Sequence, residues 1–339
     1  MCSSDLGSLK KHPSLVDFFS YIIYFPTLIS GPVHSFDQFN SSFSQNATVW
    51  NNIDSYKRLL NGIFKVIILA PIVQHFFNFA SYYVFLGPTA VPTTAPWVKI
   101  LVGSHALPIE KAVPLSLVLY PFYLFFNFSG YTDIVIAVSS FFKISLPENF
   151  SQPFKAKNIS EFWSRWHISL SDWFKNYLFN PMIGILTARF PNRTSTAAIS
   201  IITVFSVFFI IGLWHGSTLE YFYYGVYLGV TAAIHRIYQI VMIKKLGQKE
   251  FRSLGKNLIY SHFCRTLTFG YFAVALSCFW MNASQIQTVI KTVPLGNTVL
   301  NFIGIIAIVS VFFLSFDKIE NAIQSKRPFG LNRDRKSVV

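Results

Sequence analysis

The chain has 339 residues, of which 52% are hydrophobic and only 12% charged, with 37 phenylalanines. A soluble domain carries about a quarter charged residues, so this composition excludes an ordinary water-soluble fold and predicts an integral membrane protein. The formal net charge of +14 raises nucleic acid as a partner, but the basic residues fall in loops beside apolar runs, as cytoplasmic loops do, and no nucleic-acid binding is expected.

Both extremities read as foreign. Cys2-Ser-Ser-Asp-Leu6 and Asp334-Arg-Lys-Ser-Val-Val339 can be encoded by a single library adapter read in opposite directions. Residues 1–8 and 334–339 are therefore set aside as adapter scar with its junction. The four charges removed, Asp5, Asp334, Arg335 and Lys336, cancel. Residues 9–333 then form one partial transmembrane domain, with spans expected to be missing before Leu9.

Apolar runs of spanning length lie at roughly 15–33, 59–86, 113–142, 197–213, 220–242, 263–282 and 298–316, each near the ~20 residues a bilayer crossing needs. Several contain Pro, Gly, Asn or His. Broken helices survive in lipid only where protein or a wet cavity satisfies the freed backbone groups, so the predicted bundle encloses an interior space. Asn127, Tyr131 and Asp133 form a polar cluster inside the third run. A carboxylate at that depth is costly unless paired or hydrated, which makes Asn127 and Asp133 candidates for the lining. Ser129-Gly130 beside them permits close helix packing, and Pro147-Glu148-Asn149 reads as a structural turn, with Asn149 a possible cap.

The segment 160–186 is too polar to span, yet Trp163, Trp166, Ile168, Leu170, Trp173, Phe174, Tyr177 and Leu178 recur at helical spacing. It predicts an interfacial or re-entrant amphipathic helix, capped at Asn158 or Ser160, with tryptophans at headgroup depth. Within it, His167 reads either as an interface anchor or as a functional group. Glu161 and Asp172 read as solvated charges, and Arg165 as a ligand for a donor phosphate or a lipid headgroup. A second Trp-His pair, Trp214-His215, follows the apolar run Val204–Leu213, and an ionisable residue there is a candidate site by default.

Charge asymmetry supplies orientation. The loop after Met242 carries Lys244, Lys245, Lys249, Arg252 and Lys256 against Glu250, whereas 283–297 has Lys291 alone. The first is predicted to be cytoplasmic and the second external. Counting back, 151–195 lies inside, so His167 approaches from the cytoplasm and His215 from the outer side. The cysteines Cys2, Cys264 and Cys278 have no metal or redox spacing.

Four stretches carry a family likeness: "FPTLISGPV" (Phe25–Val33), "NFSGYTDIVIAVSSFFKISLPENFSQPF" (Asn127–Phe154), "NISEFWSRWHISLSDWFKNYLF" (Asn158–Phe179) and "GLWHGSTLEYFYYGVYLG" (Gly212–Gly229). Together they resemble the membrane-bound O-acyltransferase (MBOAT) family. The likeness is greatest to its bacterial branch of alginate O-acetylation and teichoic-acid D-alanine transfer proteins, over roughly Phe18 to Arg236. The resemblance implies an all-α membrane fold of tilted helices around a funnel or tunnel, in a bacterial plasma membrane. It also implies that His215 matches the family's catalytic histidine and His167 a second important one. Phe179-Asn-Pro-Met-Ile-Gly184 departs from the alginate-type turn, and the family's N-terminal helices are largely absent.

Read as an acyltransferase, the chain is expected to use His215 as the base that takes an alcohol proton while the oxygen attacks a thioester carbonyl. His167 either donates to the oxyanion or orients the acyl carrier. Trp214, Trp166, Arg165, Asn127 and Asp133 are the tunnel candidates. No bound cofactor or metal is expected; the donor is a cytoplasmic thioester, acetyl-CoA or an acyl carrier protein. Membrane lipid and, by resemblance, an extracytoplasmic acetyltransferase are the partners. The preferred outcome is O-acetylation of an exported polysaccharide, with D-alanyl transfer towards lipoteichoic acid as the alternative. A proton-coupled transporter is disfavoured because no internal repeat is found; a non-catalytic scaffold would have no need of His215.

Overall fold

The structure is a computed structural model that describes residues 14–28, 31–44, 52–86 and 107–325. Both proposed adapter segments, and Cys2 with them, lie outside the described residues. Within these residues the chain is helical and contains no β-strand, only an isolated bridge between Phe150 and Trp166.

Three short helices come first: α1 (Leu15–Ile22), α2 (Phe25–Leu28) and α3 (Phe36–Ser44). The apolar run at 15–33 therefore does not form a span. A turn at Ile23 separates α1 from α2, and residues 31–35 are not helical, with Pro32 supplying no N–H to a ladder. The first long rod is α4 (Asn52–Phe64) running through a π turn (Lys65–Leu69) into α5 (Ala70–Leu86). It packs along α6 (Ile109–Phe141), which keeps Pro114 and Pro121 buried inside it. At their crossing, a Cβ on Gly130 would fall 2.9 Å from the Gly62 carbonyl oxygen, so the two backbones meet directly. Ser140 Oγ donates to Ser55 Oγ at 2.7 Å near the same end.

The cytoplasm-facing segment expected as one amphipathic helix is broken into α7 (Ile159–Trp163), α8 (Ile168–Phe174), a second π turn (Lys175–Phe179) and α9 (Asn180–Arg189). Asn158 is the cap, its side chain accepting the Glu161 N–H at 2.8 Å. Then come α10 (Arg193–Trp214) and α11 (Leu219–Leu246), a tight hairpin in which a Cβ on Gly212 would meet the Gly225 Cα at 2.1 Å. After α12 (Gln248–Leu254) rises α13 (Leu258–Ala275), followed by a 3₁₀ turn (Leu276–Phe279), α14 (Ala283–Thr292) and α15 (Leu295–Ser325).

Among the described residues, five helical stretches are long and apolar enough to cross a membrane: Ile53–Phe85, Ile109–Phe141, Thr196–Trp214, Leu219–Leu246 and Leu295–Ser315. The expected run at 263–282 is not among them. Its helix, α13, buries one side, with Thr268, Phe269, Tyr271, Phe272 and Ala273 inside, while Leu258, Ile259, Phe263 and Leu267 stay exposed. Arg265 on α13 is also buried. Its Nε donates to the Phe154 carbonyl at 2.6 Å, its Nη1 bonds Asp317, and its guanidinium lies 4.4 Å from the Phe313 ring centroid. A buried cation with that many partners is tolerated where an unpaired one is not.

Trp163 and Trp166 sit in the main core with Phe162, Phe174, Tyr224, Leu228 and Phe272. These two tryptophans therefore pack against protein side chains: α7 and α8 use their aromatic faces as core. Trp173 alone of the three stays partly exposed.

Candidate active site

The break between α7 and α8 is where His167 sits. Its backbone is left-handed, with φ of +47°, a conformation rare for residues bearing a Cβ but more accessible to His than to most. Two rungs hold it there: Ser151 N–H donates to the Arg165 carbonyl at 3.0 Å and Ile168 N–H to the Asn149 carbonyl at 3.0 Å. The strand-like segment around Phe150 thus clamps the helix interruption, as strained backbone requires.

The His167 ring packs edge-on to Phe128, 4.9 Å between centroids, and its Nδ1 lies 3.1 Å from Asn149 Oδ1. The Asn149 oxygen also accepts Ser169 Oγ at 2.9 Å, while Ser169 Oγ accepts the Val33 N–H at 2.9 Å. Segments 25–34, 127–154 and 158–179 of the sequence are in this way joined at one point. Asn149, taken from the sequence as a turn or cap residue, holds His167 directly. A PEN turn carries no such signal by itself, since the contact depends on a fold back over 18 residues. His34 was also missed; it is buried, with Nδ1 3.3 Å from the Pro32 carbonyl, and burial lowers its pKa.

His215 caps the C-terminal end of α10, and aromatic rings stand around it. Trp214, Phe279, Tyr224 and Tyr221 stand with centroids 4.9, 5.0, 5.5 and 6.2 Å away. Trp214 itself is 56% exposed, so the wall that dries the imidazole is Phe279 and the two tyrosines more than the neighbouring tryptophan. Burial pushes His215 down to about 4, and burial followed by the positive charge of His215 does the same to His167. Both imidazoles are neutral at pH 7.

The remaining sequence candidates divide. Asp133 is paired: Lys65 Nζ lies 2.7 Å from Oδ2 and Arg58 Nε 3.0 Å from Oδ1, with Arg58 also bound to Glu148. With Ser129, Thr132, Asn149 and Gln152 these residues line a cavity of about 210 Å³ between α4, α6 and the 148–152 loop. Asn127 is half-buried on α6, next to Phe128. Trp166 belongs to the core, against Phe272 at 4.6 Å and Phe150 at 5.0 Å. Arg165 is held by Glu161 at 2.9 Å and the Ser151 carbonyl at 3.2 Å, so Glu161 is an ion-pair partner instead of a free solvated charge. Among the described residues no group of three His, Cys, Asp or Glu side chains gathers to hold a metal.

The sequence matches the model of the membrane-bound O-acyltransferase family over residues 2–253. It is 32% identical to the teichoic acid D-alanyltransferase of Bacillus subtilis over 69% of this chain and 54% of that protein. The peptidoglycan O-acetyltransferase of Helicobacter pylori is 32% identical over 66% of this chain and 38% of its own. The probable alginate O-acetylase AlgI of Pseudomonas aeruginosa is 32% identical over 68% of this chain and 39% of its own. The matched region thus spans about half or less of these relatives.

Proposed function

This chain belongs to the membrane-bound O-acyltransferase family, and from that premise we propose that it transfers an acyl group, preferentially acetyl, for O-acylation of an exported cell-envelope polysaccharide. The observation that carries this reading is two neutral imidazoles in aromatic surroundings, His215 against Phe279 and Tyr224 and His167 against Phe128. A neutral imidazole can accept the proton of an alcohol as its oxygen bonds to a thioester carbonyl carbon; the C–S bond then breaks and the thiolate leaves with a proton. General-base help of this kind contributes roughly 10²–10⁴ in rate. His215 is the base, and the rings of Phe279 and Tyr224 keep water away from it.

The donor is a cytoplasmic thioester, acetyl-CoA or a loaded carrier protein, arriving on the basic inner face. The protein sits in the bacterial plasma membrane among lipid and hands its product to an extracytoplasmic acetyltransferase. The second reading, D-alanyl transfer towards lipoteichoic acid, is favoured by the similarity to the Bacillus subtilis protein, which is as high as that to the acetylating relatives.

The test is polysaccharide O-acetyl content in cells lacking the native gene and complemented with full-length wild type or His215→Ala at matched membrane levels. Restoration by wild type alone supports the reading. Restoration by both removes His215 from catalysis, and by neither turns the question to D-alanyl content in the same cells.

A further inference from the structure

Asn149 is 1% exposed, and the direction of its amide is decided by what surrounds it. The Ser169 backbone N–H points at one terminal atom from 3.3 Å and Ser169 Oγ at the same atom from 2.9 Å. A backbone N–H can only donate, so that atom is the oxygen. Ser169 Oγ already accepts the Val33 N–H, which leaves its own proton free for the amide oxygen. His167 Nδ1 approaches this oxygen at 3.1 Å, and facing an acceptor it must carry the hydrogen. A neutral imidazole has one N–H, so its Nε2 is left with a lone pair. Nε2 has no hydrogen-bond partner among the described residues. The left-handed backbone and the Phe128 ring hold the ring in place. Asn149 Nδ2, also buried and unbonded, belongs to a residue that lines the polar cavity beside Arg58 and Lys65.

We propose that Asn149 is a positioning residue that locks His167 in the Nδ1–H tautomer, so that Nε2 accepts a proton or hydrogen bond and does not give one. The inference rests on the acyl-transfer reading for its functional meaning and decides between the two roles open to His167. A histidine whose only N–H is spent on Asn149 cannot serve an oxyanion. His167 instead receives a hydrogen bond from the attacking hydroxyl, and the oxyanion finds its donors elsewhere.

The experiment is nitrogen NMR of the full native chain, with labelled histidine, in lipid nanodiscs; His167→Gln identifies the signals. The expected wild-type result is a pyrrole-type Nδ1 and a pyridine-type Nε2 at His167. Asn149→Ala should release the Nε2–H form and reduce turnover about 10- to 100-fold with little change in KM, the range typical for lost orienting partners. Asn149→Asp keeps the accepting oxygen, so it should retain the tautomer. Its carboxylate favours the imidazolium, so the acid limb of the activity profile should move to higher pH. A purely structural Asn149 would leave that limb where it is.

A pyridine-type Nδ1 in the wild type overturns the proposal, as does an unchanged tautomer in Asn149→Ala. If Asn149→Ala does not fold, the wild-type spectrum and the Asn149→Asp profile decide. Should His167→Gln keep full turnover while the wild-type tautomer is as expected, the assignment stands and the placing of His167 in the acyl-transfer site fails.

Discussion

His215 and His167 owe their neutrality to burial, and burial has a cost that pH reveals. Both are lowered from 6.5 to about 4. Between those values the unfolded chain binds protons that the folded chain refuses, so stability falls as pH drops from 6.5 towards 4. The slope is at most about 1.4 kcal/mol per pH unit for each histidine. Thermal unfolding in nanodiscs at about pH 7 and about pH 5 should show wild type losing more stability than a His167→Gln, His215→Gln double variant; equal losses would mean the rings are hydrated. His215 stood out in the sequence as a candidate because it is an ionisable residue at the end of an apolar run, and its enclosure by rings was not visible there. The need of Asp133 for partners was legible too, but Arg58 and Lys65 lie 75 and 68 residues away and nothing local points to them.

Helix pairs here are set by small residues, and the hairpin of α10 and α11 is the extreme case. Gly212→Ala must push the two backbones apart, because its Cβ would meet Gly225 at 2.1 Å. Gly184→Ala on α9 meets nothing within 4 Å and gains helix propensity, roughly 0.5–1 kcal/mol. The expected outcome is a lower melting temperature for Gly212→Ala and an unchanged or higher one for Gly184→Ala; a reversed order would mean the hairpin is looser than described. Periodicity foretold most of the long helices to within a few residues at one or both ends. It did not foretell the break at 164–167, since that interruption is imposed by hydrogen bonds from the 149–151 segment and by no helix breaker of its own. The same limit explains α13: hydropathy ranks helices by their affinity for lipid, whereas Arg265 and Thr268 face protein.

Across the whole molecule, the alternation of basic and neutral loops orients the helices. A single cysteine in place of Lys249 should react only with reagent supplied from the cytoplasmic side, and one in place of Lys291 only from outside. Labelling of both from one side would invert or dissolve the topology on which the donor's route depends. The chain's match covers about half or less of its relatives' length.

The bond from Val33 to Ser169 has a further meaning for how such a site is made. Its ends are 136 residues apart, and a ribosome working at about 5–20 residues per second needs roughly 7–27 s to cover that interval. Throughout it the 31–44 segment waits without its partner while two long rods enter the bilayer. The order of synthesis therefore makes the histidine clamp a late product of assembly, and delay or misinsertion of either rod is felt first where the chemistry resides.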